Sequence, residues 1–300
     1  MNFCKSSYDP ATLPPRLQVH QSWWAMRGIG DERGEWSLEK KIANIAEAGY
    51  SGIMGRLPAP EEAELWRKLL DQYQLEFGIE AFPEDPDEFG TFLQEAKEFG
   101  VSYVNAQVKD SFVVGDAAVK RLSGIIQEGK KWNIPVFVET HRGRITQDLL
   151  RTVEYAEALP DLRFTIDFSH YVLAGEMLTS QERAEDCFQQ LLKRTSCIHG
   201  RISNGQQIQV DIGPAGEHPM TERFLAWWKQ GMKNWRQEAQ HGDVLPFVCE
   251  LGPVPYAIDR YGFCTNKMEE ISNRWEQGLV LKQLALQAWR EVQEDDEAGF

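Results

Sequence analysis

The sequence predicts an α/β protein: a single (β/α)8 TIM barrel, eight parallel strands in a ring with helices outside. Two observations lead there. Strand-like apolar runs and amphipathic helical runs alternate at steady spacing over the 300 residues, with no linker or composition shift to mark a second domain. The later strand candidates also end in polar residues, where a parallel barrel gathers its ligands. Residues 1–300 are therefore expected as one domain, with 1–14 an irregular N-terminal arm and 293–300 an acidic tail. A doubly wound open sheet is the alternative, but it needs fewer repeats and usually an edge irregularity.

The elements follow in order. Leu17 to His20 is the first strand candidate, with Trp23 and Trp24 just beyond its end. Gly28 to Gly34 spells GxGxxxG, but it does not join a strand tightly to a helix, so it is no dinucleotide fingerprint. Ser37 caps a helix with Leu38, Ile42 and Ile45 on one face. Ser51–Gly55 is a strand, and a helix beginning at Pro60 carries Leu65, Trp66, Leu69 and Leu70. Glu76–Ala81 is the third strand. Asp85, Pro86 and Glu88 then form a cap, a first-turn proline and a first-turn acid. Val101–Gln107 is the fourth strand, and a helix follows Asp116. Ile134–Glu139 and Leu162–Asp167 are β-branched-rich runs flanking a helical stretch for which Thr146 is the expected cap. A sixth helix is expected from Thr179 or Ser180, then strand Ser196–Arg201, then a helix with Phe224, Trp227, Trp228, Met232 and Trp235 on one stripe. Leu245–Glu250 is the last strand, and a long helix is expected from Lys267 to Val292.

The bulk composition excludes some functions. A net charge of −14 offers no basic excess for nucleic acid or an anionic membrane. Cys4, Cys187, Cys197, Cys249 and Cys264 are widely spaced, which suits neither a zinc site nor a disulfide framework. No apolar run is long enough to span a bilayer, and a reducing, cytoplasmic setting is the default expectation. The tryptophan-rich seventh helix and the long last helix are candidates for an apolar face in a homo-oligomer.

In a barrel, strands five to eight place Glu139, Asp167, His199 and Glu250 around one mouth. Each alone reads equally well as a turn cap or a core histidine. Together, three carboxylates at one point would repel and raise one another's pKa unless a cation joins them. A divalent metal (Mn, Co, Mg or Zn) resolves this, and oxygen-rich ligation with one nitrogen favours the harder ions. His20, Trp23, His141, His170 and Arg201 are expected to contact a substrate.

Val138-Glu139-Thr140-His141-Arg142-Gly143-Arg144, Asp167-Phe168-Ser169-His170 and His199-Gly200-Arg201 carry a resemblance. From about Leu17 to Trp289 the chain resembles the xylose isomerase-like TIM barrels, which include sugar phosphate isomerases and epimerases. In the ketose 3-epimerases of that family, a Glu, Asp, His, Glu set binds the metal and the two glutamates shuttle a proton. The resemblance therefore implies Glu139, Asp167, His199 and Glu250 as ligands, Glu139 and Glu250 as the acid–base pair, and His170 as a substrate contact. Those epimerases carry an arginine some way past the strand-seven histidine. Six positions past His199 this chain has Gly205, and Arg201 is the candidate replacement.

The expected activity is metal-dependent isomerisation or epimerisation of a sugar or sugar phosphate, through proton abstraction next to a carbonyl. The alternatives are a metal-dependent dehydratase of the same superfamily and a non-catalytic sugar-binding barrel. The related endonuclease IV type needs a three-zinc cluster, with histidines on the early strands and Asp-x-His after strand seven. This chain has Asp211-Ile212-Gly213 there and no early histidine beyond His20.

Overall fold

In the computed structural model, described for residues 3–262 and 267–298, eight parallel strands close into a barrel. They are β1 (Arg16–Ser22), β2 (Gly52–Gly55), β3 (Glu76–Ala81), β4 (Tyr103–Ala106), β5 (Val136–Glu139), β6 (Phe164–Ile166), β7 (Thr195–Gly200) and β8 (Asp243–Cys249). Each pairs in parallel with the next, and β8 returns to β1, from Val244 opposite Arg16 to Cys249 opposite Gln21. One helix or helical segment follows each strand: α1 (Leu38–Glu47), α2 (Ala63–Tyr73), α3 (Pro86–Phe99), α4 (Gly115–Trp132), α5 (Leu149–Ala158), α6 (Glu182–Leu192), α7 (Met220–Glu238) and α8 (Arg274–Ala298).

Side-chain alternation along the strands decides what lies inside. Met54, Tyr103, Phe137, Cys197, Val244 and Val248 fill the barrel interior with Cys4, from a two-residue strand antiparallel to β8. Ile53, Ile79, Val104, Val138, Ile166, Ile198 and Phe247 belong to the outer core under the helices. One step of two beyond Tyr103, Phe137, Cys197 and Val248, the inner-face parity arrives at Asn105, Glu139, His199 and Glu250. The polar residues thus stand directly above an apolar plug. Gly78 is required there, because a Cβ would come within 2.3 Å of the Tyr103 ring.

Ser37 caps α1 through the Lys40 amide, and Asp85 caps α3 through the Asp87 and Glu88 amides, as the sequence predicts. Thr146 does not cap α5. Asp148 does, accepting from the Arg151 amide. Thr146 instead donates to the Glu139 carbonyl at 2.6 Å and accepts from the His141 amide at 3.1 Å, which pins the turn after β5. A six-residue helix, Ser169–Ala174, follows β6 directly, and α6 begins at Glu182 rather than at Thr179 or Ser180. The last helix does not begin at Lys267. Residues 267–270 pair antiparallel with Asp259–Gly262, and α8 starts where the Asn273 side chain accepts from the Trp275 and Glu276 amides. The residues expected as an acidic tail continue α8 to Ala298, with Asp295 2.6 Å from Lys233. Four cysteines are free and buried, and Cys264 lies outside the described residues.

The α7 stripe does not form an outer face. Phe224, Trp227, Trp228, Met232 and Trp235 are all buried in the main core, and α8 packs Leu281, Ala285, Ala288, Trp289 and Val292 into the same core.

Candidate active site

Glu139 is the last residue of β5, Asp167 and Glu250 lie one residue beyond β6 and β8, His199 is the last but one of β7, and all four are buried. One ligand atom from each lies within 4.8 Å of the others. Glu139 can also bring an oxygen within 4.8 Å of His141 and His170, so the two histidines border the cluster. Glu139 and Asp167 are held from outside it. Asn105 donates to Glu139 Oε2 at 2.6 Å. The Ser169 amide donates to Asp167 Oδ1 at 3.1 Å, and the Ser169 hydroxyl donates to the same oxygen. The Asp167 amide in turn donates to the Thr140 hydroxyl at 2.8 Å.

Arg201 enters the cluster as a built-in cation. Its Nη1 lies 2.9 Å from Asp167 Oδ2, its Nη2 2.8 Å from Glu250 Oε2, and its Nε donates to the Glu250 carbonyl at 3.0 Å. Its charge and that of His199 overcome burial and hold Glu250 well below the usual carboxylate range. Burial pushes Asp167 up to about 6 despite Arg201. Burial alone would lower the His199 pKa, but Glu250 and then Glu139 raise it well above the usual imidazole range. Burial lowers His170, and its neighbours His141 and Arg201 add to the effect.

The donor set fits a divalent cation. Glu139 Oε1 and both ring nitrogens of His199 are buried without a hydrogen-bond partner, and Glu250 Oε2 has only its charged contacts with Arg201 and His199. His199 Nδ1 lies 2.8 Å from Glu250 Oε2, but out of line for a hydrogen bond. Buried acceptors are almost always satisfied, so several orphans converging on one point mark a missing partner. Three carboxylates against Arg201 and a protonated His199 leave one negative charge uncompensated, and a dication that replaced the His199 proton would balance the cluster.

Above the cluster opens a cavity of about 610 Å³, with Glu250, Arg201, His141, Trp23, Trp24 and Tyr256 in its wall. His141 Nε2 lies 3.5 Å from the Tyr256 hydroxyl, and its ring is 3.8 Å from that of His170. His170 sits under this wall, fully buried, with Nε2 3.3 Å from Arg201. His20 does not line the cavity. It is packed inside the barrel with Nδ1 3.3 Å from the Tyr103 hydroxyl, and burial pushes its pKa down to about 3.

The structure adds residues that the sequence reading missed. Glu80, at the end of β3, also faces the cavity, and burial followed by the charges of Glu250 and Glu139 pushes it up to about 8. Its signal was present, since it lies one residue before the end of a strand, as His199 does. Tyr256 had none: it comes from the irregular segment after β8 and reaches the wall only in the folded chain.

No family model matches the sequence, and none of the curated proteins compared with it is similar. Solved structures are similar over nearly the whole chain. A xylose isomerase-like TIM barrel protein from Mycobacterium smegmatis, in complex with magnesium, is 11% identical, with a TM-score of 0.56 over 91% of this chain and 98% of its own. The chain has the same (β/α)8 TIM barrel fold. An L-ribulose 3-epimerase is 11% identical, with a TM-score of 0.58 over 94% of this chain and 97% of its own. A probable 3-DHS dehydratase of petrobactin synthesis from Bacillus anthracis is 16% identical, with a TM-score of 0.55 over 91% and 98%. Barrels similar in fold to this one thus include an epimerase and a probable dehydratase. No helix among the described residues is long and apolar enough to cross a membrane.

Proposed function

We propose that this chain is a divalent-metal-dependent isomerase or epimerase of a sugar or sugar phosphate, working by proton abstraction next to a carbonyl. The observation that carries the reading is the set of unpartnered, buried ligand atoms on Glu139 and His199 beside Glu250, which lines an open cavity. Glu139, Asp167, His199 and Glu250 would hold the metal, which supplies Lewis-acid polarisation of the substrate's carbonyl and hydroxyl oxygens. Glu139, on β5, presents one oxygen without a hydrogen bond, and Glu250, just past β8, lines the cavity beside it. One takes the C–H proton and the other returns it, to the same carbon or to its neighbour. Arg201 holds Asp167 and Glu250 in place and offsets their mutual repulsion. His141 and Tyr256 are placed to orient a substrate hydroxyl, and Trp23 and Trp24 wall the cavity against water and offer ring faces to C–H groups.

Glu80 favours a second reading. A carboxyl held protonated near neutral pH in the same cavity can donate a proton to a departing hydroxyl, the step a dehydratase adds to the same C–H abstraction. One experiment separates the readings. Metal-loaded protein is incubated in D₂O with ketoses, aldoses and their phosphates, and products are followed by NMR. Isomerase or epimerase action interconverts two sugars, with deuterium next to the carbonyl as support. Dehydratase action yields an unsaturated product. Tight binding of one sugar without turnover would leave the non-catalytic barrel. Glu139→Gln and Glu250→Gln should each abolish turnover, with metal content measured alongside.

A further inference from the structure

Arg56 and Arg144 both line the cavity away from the carboxylate cluster, in a chain whose net charge is −14. Both guanidiniums are held against one ring, Arg56 at 5.0 Å and Arg144 at 5.5 Å from the centroid of Phe82. The side chain of Arg56 is 72% exposed, and its carboxylate neighbour Glu80 stands off at 3.9 Å. Arg144 donates to neutral acceptors, the Gln107 side chain at 3.1 Å and the Gly143 carbonyl at 3.1 Å. Among the described residues no carboxylate pairs with Arg144. Two guanidiniums thus flank the cavity with their charge largely unspent.

We infer that Arg56 and Arg144 form an anion clamp that binds a carboxylate or phosphate group carried by the substrate. The inference rests on the reading of this cavity as the substrate site, and it narrows the substrate class to an anionic carbohydrate. A guanidinium presents paired N–H donors that match two oxygens of either oxyanion. Contact with the Phe82 ring limits the freedom of both side chains before the ligand arrives, which lowers the entropy lost on binding. Glu80 does not cancel the clamp, because its burial favours the neutral acid. The same cavity is lined by Glu250 as well as by these two arginines, so a substrate anchored by its charged group can present its other end to the cluster.

The test needs no turnover. Glycerol 3-phosphate, glycerate and neutral glycerol are titrated into the full chain, following the fluorescence of tryptophans that include Trp23 and Trp24 of the cavity wall. At least one anion should saturate at a concentration tenfold or more below glycerol, and whichever binds tighter identifies the group. Arg56→Gln with Arg144→Gln should weaken that binding at least tenfold, and Arg56→Lys with Arg144→Lys should recover part of it. Glu139→Gln should retain it although turnover is lost. If neither anion binds better than glycerol, or the Gln variants bind both unchanged, the clamp is wrong. Failure of the functional reading looks different: anion binding stays intact, while metal-loaded wild type turns over nothing.

Discussion

Glu80→Gln is expected to stabilise the protein, and increasingly so at higher pH. The Glu80 side chain is 10% exposed, and its carboxyl rises from 4.5 to about 8 on folding, chiefly through burial and then through the charges of Glu250 and Glu139. A pKa raised in the fold means the native state holds its proton more tightly than the unfolded chain does. The associated stability is fully present below pH 4.5 and is lost as pH climbs toward 8. At about 1.4 kcal/mol per tenfold in proton affinity, the full loss approaches ~5 kcal/mol, of which roughly a quarter is already gone at pH ~5.5. Glutamine approximates the neutral acid and does not titrate. The gap in unfolding free energy between Glu80→Gln and wild type should therefore widen by about 3 kcal/mol between pH ~5.5 and ~8.5. Urea unfolding at several pH values, with both proteins free of metal, measures it directly. Parallel curves for the two proteins would refute the assignment of Glu80 as a buried acid. A gap that narrows with pH would mean that Arg56 or another cation holds Glu80 ionised instead.

Protein purified without chelator should carry about one equivalent of Mn, Co, Mg or Zn by elemental analysis, and Asp167→Asn should lose it. Chelation should lower the melting temperature, since a ligand at about 100 times its Kd stabilises by ~2.7 kcal/mol. Arg201→Met strands Asp167 and Glu250 in the interior and should cost about 3–5 kcal/mol in metal-free protein, read by denaturant unfolding. Gly78→Ala drives a methyl into the Tyr103 ring and should cost ~1–3 kcal/mol, with Gly78→Ala in a Tyr103→Leu background largely recovered. Abasic duplex DNA should remain intact with metal-loaded protein, because the chain carries a net charge of −14; metal-dependent nicking on a gel would contradict that.

Much was legible in the sequence because the rules involved are local. Alternation in period two and helical stripes in period 3.6 need only neighbouring residues, so the eight strands, most helices and the caps at Ser37 and Asp85 could be read directly. Strand-end position is also local, and it picked out Glu139, Asp167, His199 and Glu250 before their distances were known. Thr146 and Asp148 show where local reading fails. Both residues are capable caps, and Asp148 took the helix because Thr146 is engaged by the Glu139 carbonyl and His141 amide of the preceding turn. Tertiary structure alone decided the rest. Barrel closure put Arg201 between Asp167 and Glu250, carried Tyr256 over His141, and buried His20 against Tyr103 beneath the cavity. It also brought Arg56 from beyond β2 and Arg144 from beyond β5 to the same Phe82 ring. These contacts join residues tens to hundreds of positions apart, and no period in the sequence encodes them. They exist only once the ring of eight strands has closed and each loop has one place left to go.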